Sequence, residues 1–203
     1  MANEPKVNPY EPHTGVAIAL FAMVLAMTGI AGGKVGEKEL VAHNERTGAY
    51  QWYQSKSMKQ ALVEGQRDLL ISLQKGGAIG LDQTHAVDSH LSGLEASSAS
   101  YEKQKNEILL GSKAVGHDDW VQDIDGVFGK IKGAREWDAD ITALEGSRAE
   151  FDLASLFLQT GLVVGAISLV MKGPRARLVF LAGMATFGLT GTGFALNALL
   201  TAM

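Results

Sequence analysis

The sequence predicts an all-α membrane protein, in which three spanning helices carry a long helical, coiled-coil-like domain between the first and the second. Three observations lead to this class. Residues 153–171 and 178–200 are apolar runs without a single Lys, Arg, Asp or Glu, and about 18 such residues suffice to cross a bilayer as a helix. The six residues between them, 172–177, hold three cations, Lys172, Arg175 and Arg177. Residues 34–150 hold 14 of the 18 Lys and Arg and 19 of the 22 Asp and Glu, a net charge of −5. Charge in the middle and apolar runs at the ends suit a membrane protein with one large extramembrane domain.

The elements follow in order. Residues 1–13 contain three of the four prolines and read as an extended polar tail. The next run, 15–30, is apolar and has the length of a signal-peptide core, but the tail before it sets only Lys6 against Glu4 and Glu11, a poor cationic leader. With Thr14 and residues 31–33 it reaches about 20 residues, or roughly 30 Å of helix, and reads as an uncleaved first span, 14–33. The helix is expected to continue through 35–74, which lacks proline, with Met58, Leu62, Leu69 and Leu73 on one face. Gly76, Gly77 and Gly80 stop it.

A second helix is predicted over 82–113, capped by Asp82 or Thr84. Its seam is Val87, Leu91, Leu94, Ser98, Tyr101, Lys105 and Ile108, at heptad spacing and weakened by the two polar members. A shorter helix is predicted over 118–132 from the spacing of Trp120, Ile124, Val127 and Ile131. The last extramembrane helix, 136–150, carries Trp137, Ile141, Leu144 and Phe151 into the second span, 151–171, which the basic loop 172–177 joins to the third, 178–203. A short basic loop belongs in the cytoplasm. Three spans then put the N-terminus inside and 34–150 outside. Lys34 and Lys38 dissent, but long domains translocate largely regardless of their charge.

Few residues suggest chemistry. His85 and His90 are five apart, on different helix faces, whereas helical zinc pairs favour three or four. Asp82, His85 and Asp88 share a face, and a solvated surface is the simpler reading. Asp123 and Asp125 before Gly126 mimic part of a calcium loop, but Val121 and Lys132 occupy positions where that loop needs carboxylates. Asp118, Asp119, Asp123 and Asp125 are therefore weak metal candidates, and Asp118 and Asp119 more simply favour the positive end of a helix. Asp152, an ionisable group at the mouth of the second span, reads as an interfacial residue facing water. No nucleophile with an adjacent base is discernible, so no catalysis and no cofactor are expected. The acidic domain argues against nucleic acid. The chain has no cysteine, which excludes disulfides and Cys-ligated metal centres.

The spans themselves are informative. Gly161 and Gly165 form a small-xxx-small face, Ala22 and Ala26 another, and Gly183, Gly188, Gly191 and Gly193 with Thr186, Thr190 and Thr192 make the third span small-faced. Close backbone approach at such residues drives association in lipid, where apolar side chains gain nothing by meeting. These faces are expected to meet other copies or other subunits. Gln159 and Asn197 can hydrogen-bond between helices; with Thr160 and Asp152 they would line any wet path, which is the pore-like alternative.

The segments 50–59 (Tyr50, Gln51, Trp52, Tyr53, Gln54, Ser55, Lys56, Ser57, Met58, Lys59) and 150–159 (Glu150, Phe151, Asp152, Leu153, Ala154, Ser155, Leu156, Phe157, Leu158, Gln159), with the basic loop, resemble a bacterial family known as domain of unknown function 4337. The resemblance covers most of the chain and implies a first span, a Trp/Tyr-rich helical segment, a long helical domain and a C-terminal hairpin in a bacterial inner membrane. It brings no activity. It points to Trp52, Tyr53, Gln54, Lys56, Phe151, Asp152 and Gln159. The chain departs from the family in its many glycines between Gly76 and Gly133. The expected function is a non-catalytic, membrane-anchored homo-oligomeric scaffold or accessory subunit, with a pore component or a metal-responsive domain as alternatives.

Overall fold

The computed structural model describes residues 11–80, 82–171 and 173–201. They form five α-helices and almost no strand: α1 (Glu11–Lys75), α2 (Thr84–Leu110), α3 (Ser112–Val115), α4 (Ala134–Val170) and α5 (Pro174–Thr201), with β1 (Asp123–Ile124) and β2 (Val127–Phe128) between α3 and α4. The chain divides into two units. One takes α1 up to Leu40, α4 from Thr142, and α5; the other is 41–141.

Both long predicted helices run unbroken. α1 begins at Glu11, so the last three residues of the expected tail are helical, and Pro12 sits in the first turn, where its missing N–H is no loss. Its end is a Schellman motif. Gly77 takes φ +70°, the Ala78 N–H reaches the Leu73 carbonyl at 3.0 Å and the Gly77 N–H reaches Gln74 at 3.2 Å. α5 likewise starts early, at Pro174, which places Arg175 and Arg177 in its first turn rather than in a loop. Lys172 lies outside the described residues.

In the first unit α1, α4 and α5 are long and apolar enough to cross a membrane. Their most apolar windows are only 6%, 28% and 17% buried. Val16, Leu20, Met23, Met27 and Ile30 of α1 all point outward. In water each would forgo about 1–2 kcal/mol of burial, and so large an outward apolar surface suits lipid.

The interior of this unit is built on absent side chains. A methyl group at Gly191 would lie 2.9 Å from the Ala154 carbonyl oxygen and 2.8 Å from Cγ of Leu158; one at Gly161 would lie 3.2 Å from the Gly188 nitrogen. Gly165 faces Met184, Gly188 receives the Phe21 ring, and Gly183 meets Val164. Phe157 stacks between Phe187 and Phe194, at centroid distances of 6.1 and 5.6 Å. Val35, Phe151 and Ala198 form a buried cluster backed by Ala31 and Leu144. The structure thus spends Gly161, Gly165, Gly183, Gly188 and Gly191 within the chain, whereas Ala22, Ala26 and Gly193 remain exposed.

In the second unit α2 packs on the Val41–Lys75 part of α1. Leu94 and Ile108 are buried, and Val87, Leu91 and Tyr101 half-buried, as the seam predicts. Its two polar members are not mere gaps. Ser98 donates to Glu64 at 2.9 Å, and Lys105 donates to Gln60 at 2.7 Å. Polar pairs of this kind fix the register of two helices. Two expectations fail locally. Residue Gln83, not Asp82 or Thr84, occupies the N-cap of α2 and makes no side-chain cap bond. The helix predicted over 118–132 is absent: a 3-10 turn (His117–Asp119) leads into the β1–β2 hairpin. Asp125 and Gly126 take φ of 55° and 78°, the two left-handed residues of a type I′ turn, which no helix accommodates.

Gly191→Leu is expected to separate α4 from α5 and lower the thermal midpoint by several degrees, as an overpacked contact costs about 1–3 kcal/mol. Thermal unfolding of the detergent-solubilised chain checks this; an unchanged midpoint would contradict the close approach.

Candidate functional site

The most organised polar constellation lies in the second unit, where α2 ends and the loop to α4 begins. Glu107, in the last turn of α2, is fully buried. One carboxylate oxygen accepts the backbone N–H of Val121 at 2.9 Å and of Gln122 at 2.8 Å; the other accepts the Ser112 hydroxyl at 2.8 Å. The Ser112 hydroxyl in turn accepts the Ile131 N–H at 2.9 Å, while the Ser112 N–H donates to the Ile131 carbonyl at 2.9 Å. Trp120 completes the knot by donating its indole N–H to the Ser112 carbonyl at 2.7 Å. A buried carboxylate is tolerable only when its oxygens are hydrogen-bonded. Here that demand fixes both strands of the loop to the end of one helix.

The knot shapes a cleft of about 300 Å³, walled by Trp52 of α1, Ile108 of α2, Ile124 and Ile131 of the loop, and Trp137 of α4, with Glu45, Lys130 and Lys132 at its rim. Lys132 stands over the Trp137 ring at 3.6 Å from the centroid and pairs with Asp140. Arg46 reaches Asp138 at 3.1 Å. The cleft offers aromatic surface with charges of both signs.

The family-motif positions separate. Trp52 lines this cleft, and Tyr53 is half-buried with the Lys105 ammonium 5.7 Å from its ring centroid. Gln54 is exposed. Lys56 is half-buried, and burial first, then neighbouring Lys59, pushes its ammonium below the usual lysine range. In the other unit Phe151 is buried in the Val35–Ala198 cluster, and Asp152 and Gln159 are exposed. Thr160 bonds its own helix at the Leu156 carbonyl, and Asn197 donates to Glu150 at 2.8 Å.

Two of the four acidic loop residues make structural bonds. Asp119 pairs with Lys103 at 2.8 Å, and that hydrogen bond raises the lysine's pKa. Asp123 accepts the Gly126 N–H at 2.5 Å and closes the hairpin turn, whose first central residue is Asp125. Asp118 is exposed, as are His85 and His90.

A family model described as a domain of unknown function (DUF4337) matches residues 11–201. The chain belongs to this family. Comparison with curated proteins and with solved structures finds no match. Both motif segments of this DUF4337 chain fall inside the matched range, one on α1 and one on α4.

Sequence reasoning missed Glu107, Ser112 and Trp137 as the cleft's framework. The hairpin did have a signal, an Asp-Gly pair flanked by Ile124 and Val127. Glu107→Ala is expected to cost about 2–4 kcal/mol, since it strands two backbone N–H groups and the Ser112 hydroxyl. The near-ultraviolet dichroism of Trp120 and Trp137 should weaken together with the thermal midpoint; a variant identical to the parent in both would refute the anchoring role.

Proposed function

We propose that this chain is a non-catalytic, membrane-anchored helical protein that works as a homo-oligomeric scaffold or as an accessory subunit of a larger membrane assembly. The observation that carries the reading is a stripe on α1 outside the apolar spans. Met58, Leu62, Leu69 and Leu73 are 69%, 64%, 59% and 40% exposed. Their spacing of 4, 7 and 4, with Gly65 between, is that of a coiled-coil seam. α2 does not cover it, because α1 turns Gln60, Glu64 and Gln74 toward α2 instead. Four large apolar side chains aligned in water form a patch of the kind that marks an interface.

The membrane part of the reading rests on the outward apolar faces of α1, α4 and α5. The basic segment with Arg175 and Arg177 at the start of α5 supports a cytoplasmic end there. In this reading the N-terminus lies in the cytoplasm and residues 34–150 on the outer side of a bacterial inner membrane. Copies anchored in one bilayer meet side by side, so the local concentration of stripes is high and a modest seam suffices.

Native mass spectrometry of the particle in mild detergent tests the proposal. A single chain mass with a particle at an integer multiple is the expected result, and Leu62→Glu with Leu69→Glu should reduce it to single chains. Foreign chains in fixed ratio, released by the same double variant, would assign the accessory role. A wild-type particle of one chain with no companion would overturn both.

A further inference from the structure

We infer that the groove between α1 and α5 seats an acyl chain of an anionic phospholipid, with Lys34 holding the phosphate. The inference rests on the membrane-anchored reading and adds a ligand to it. The groove has a volume of about 580 Å³ and is walled by Met27 and Ile30 of α1 and Ala195, Leu196 and Leu199 of α5, with Phe151 of α4 behind. Its polar members are few. Thr28 turns its hydroxyl back to the Val24 carbonyl at 2.8 Å, and Thr192 does the same to Gly188 at 2.7 Å. The walls therefore offer hydrocarbon and no free hydroxyl donor from either threonine.

Lys34 closes one end of the lining on α1. It is exposed and, among the described residues, makes no ion pair. Lys38, one turn further on, is exposed and unpaired in the same sense; Glu37 between them leaves the turn with a net positive charge. A lysine at the edge of an apolar face extends its ammonium to the headgroup level. An anionic headgroup supplies the negative charge that this end of the groove lacks.

The dimensions choose between a lipid tail and a helix. The α1 side of the groove runs from Val24 to Lys34, about 15 Å along the axis. A spanning helix of a second copy is about 10 Å wide and 30 Å long, so it would leave half its length unmatched. An acyl chain of one leaflet spans about half of the roughly 30 Å hydrocarbon core, or about 15 Å, which matches the length of the groove.

The test uses the full chain, extracted in mild detergent and offered phosphatidylglycerol or phosphatidylcholine at equal concentration, with bound lipids counted by native mass spectrometry. Wild type should retain one phosphatidylglycerol in preference to phosphatidylcholine. Lys34→Gln should cut that preference about fivefold, as the loss of one interfacial charge implies. Ala195→Trp, which fills the groove, should reduce retention of both lipids. Equal retention of the two lipids by wild type, or a preference unchanged in Lys34→Gln, would overturn the site; so would full occupancy in Ala195→Trp. Carbonate washing of the membranes separates the two readings. A chain that washes off refutes both, whereas one that stays and shows no lipid preference refutes the groove alone.

Discussion

The unit of α1, α4 and α5 depends on the close approach of α4 and α5 at positions without side chains. In lipid there is no hydrophobic drive to bring two apolar helices together, so their contact must come from dispersion between closely fitted surfaces. Gly161 and Gly191 provide that fit by letting the backbones of the two helices touch, and Phe157 fills the space beside them by stacking on Phe187 and Phe194. Gly165 and Gly188 bring α1 into the same interior through Ile18 and Phe21. With Gly161, Gly165, Gly188 and Gly191 turned inward, large residues such as Leu156, Val163, Leu178 and Leu189 are left on the outside. This inversion of the usual soluble pattern is what the bilayer requires and what water penalises.

The unit of residues 41–141 follows the opposite rule. Its order comes from polar bonds placed where few apolar contacts are available. Gln60 and Glu64 on α1 meet Ser98 and Lys105 on α2, and the Ser98 hydroxyl, with Gln60 next, holds the Glu64 carboxyl below the usual carboxylate range. At the far end of α2 the buried Glu107 gathers three donors from the following loop. The cleft beside it, with Trp52 and Trp137, exists because that loop is pinned. The apolar residues of α1 that the pairing with α2 does not use form the outward stripe on which the scaffold reading stands.

How much of this was legible in the sequence differs by element. The three long apolar helices were, because uncharged runs of that length favour a helix, and the unbroken course of α1 and α4 beyond the apolar runs followed from the absence of proline. The packing role of the glycines was legible, but their partners were not, since a small-residue face looks the same whether it meets the next helix or another chain. Residues 118–132 were misread because Trp120, Ile124, Val127 and Ile131 fall at helical spacing; the Asp125-Gly126 turn outweighs that spacing, as two successive left-handed residues end any helix. Met58, Leu62, Leu69 and Leu73 were correctly seen as one face, but a period cannot say whether a face is covered. Glu107 left no trace, because its partners are backbone groups of a loop whose path the sequence does not specify.

In the proposed arrangement α4 crosses a bilayer, and residues near 97 and near 175 would face opposite sides of it. The chain contains no cysteine, which allows single cysteines to be placed without background at exposed Ser97 and exposed Arg175. Labelling of intact cells, outer membrane permeabilised, with a membrane-impermeant maleimide should modify Ser97→Cys at once and Arg175→Cys only after the inner membrane is opened. Equal labelling of both positions before that step would contradict the spanning arrangement and with it the lipid-facing role of the apolar surfaces.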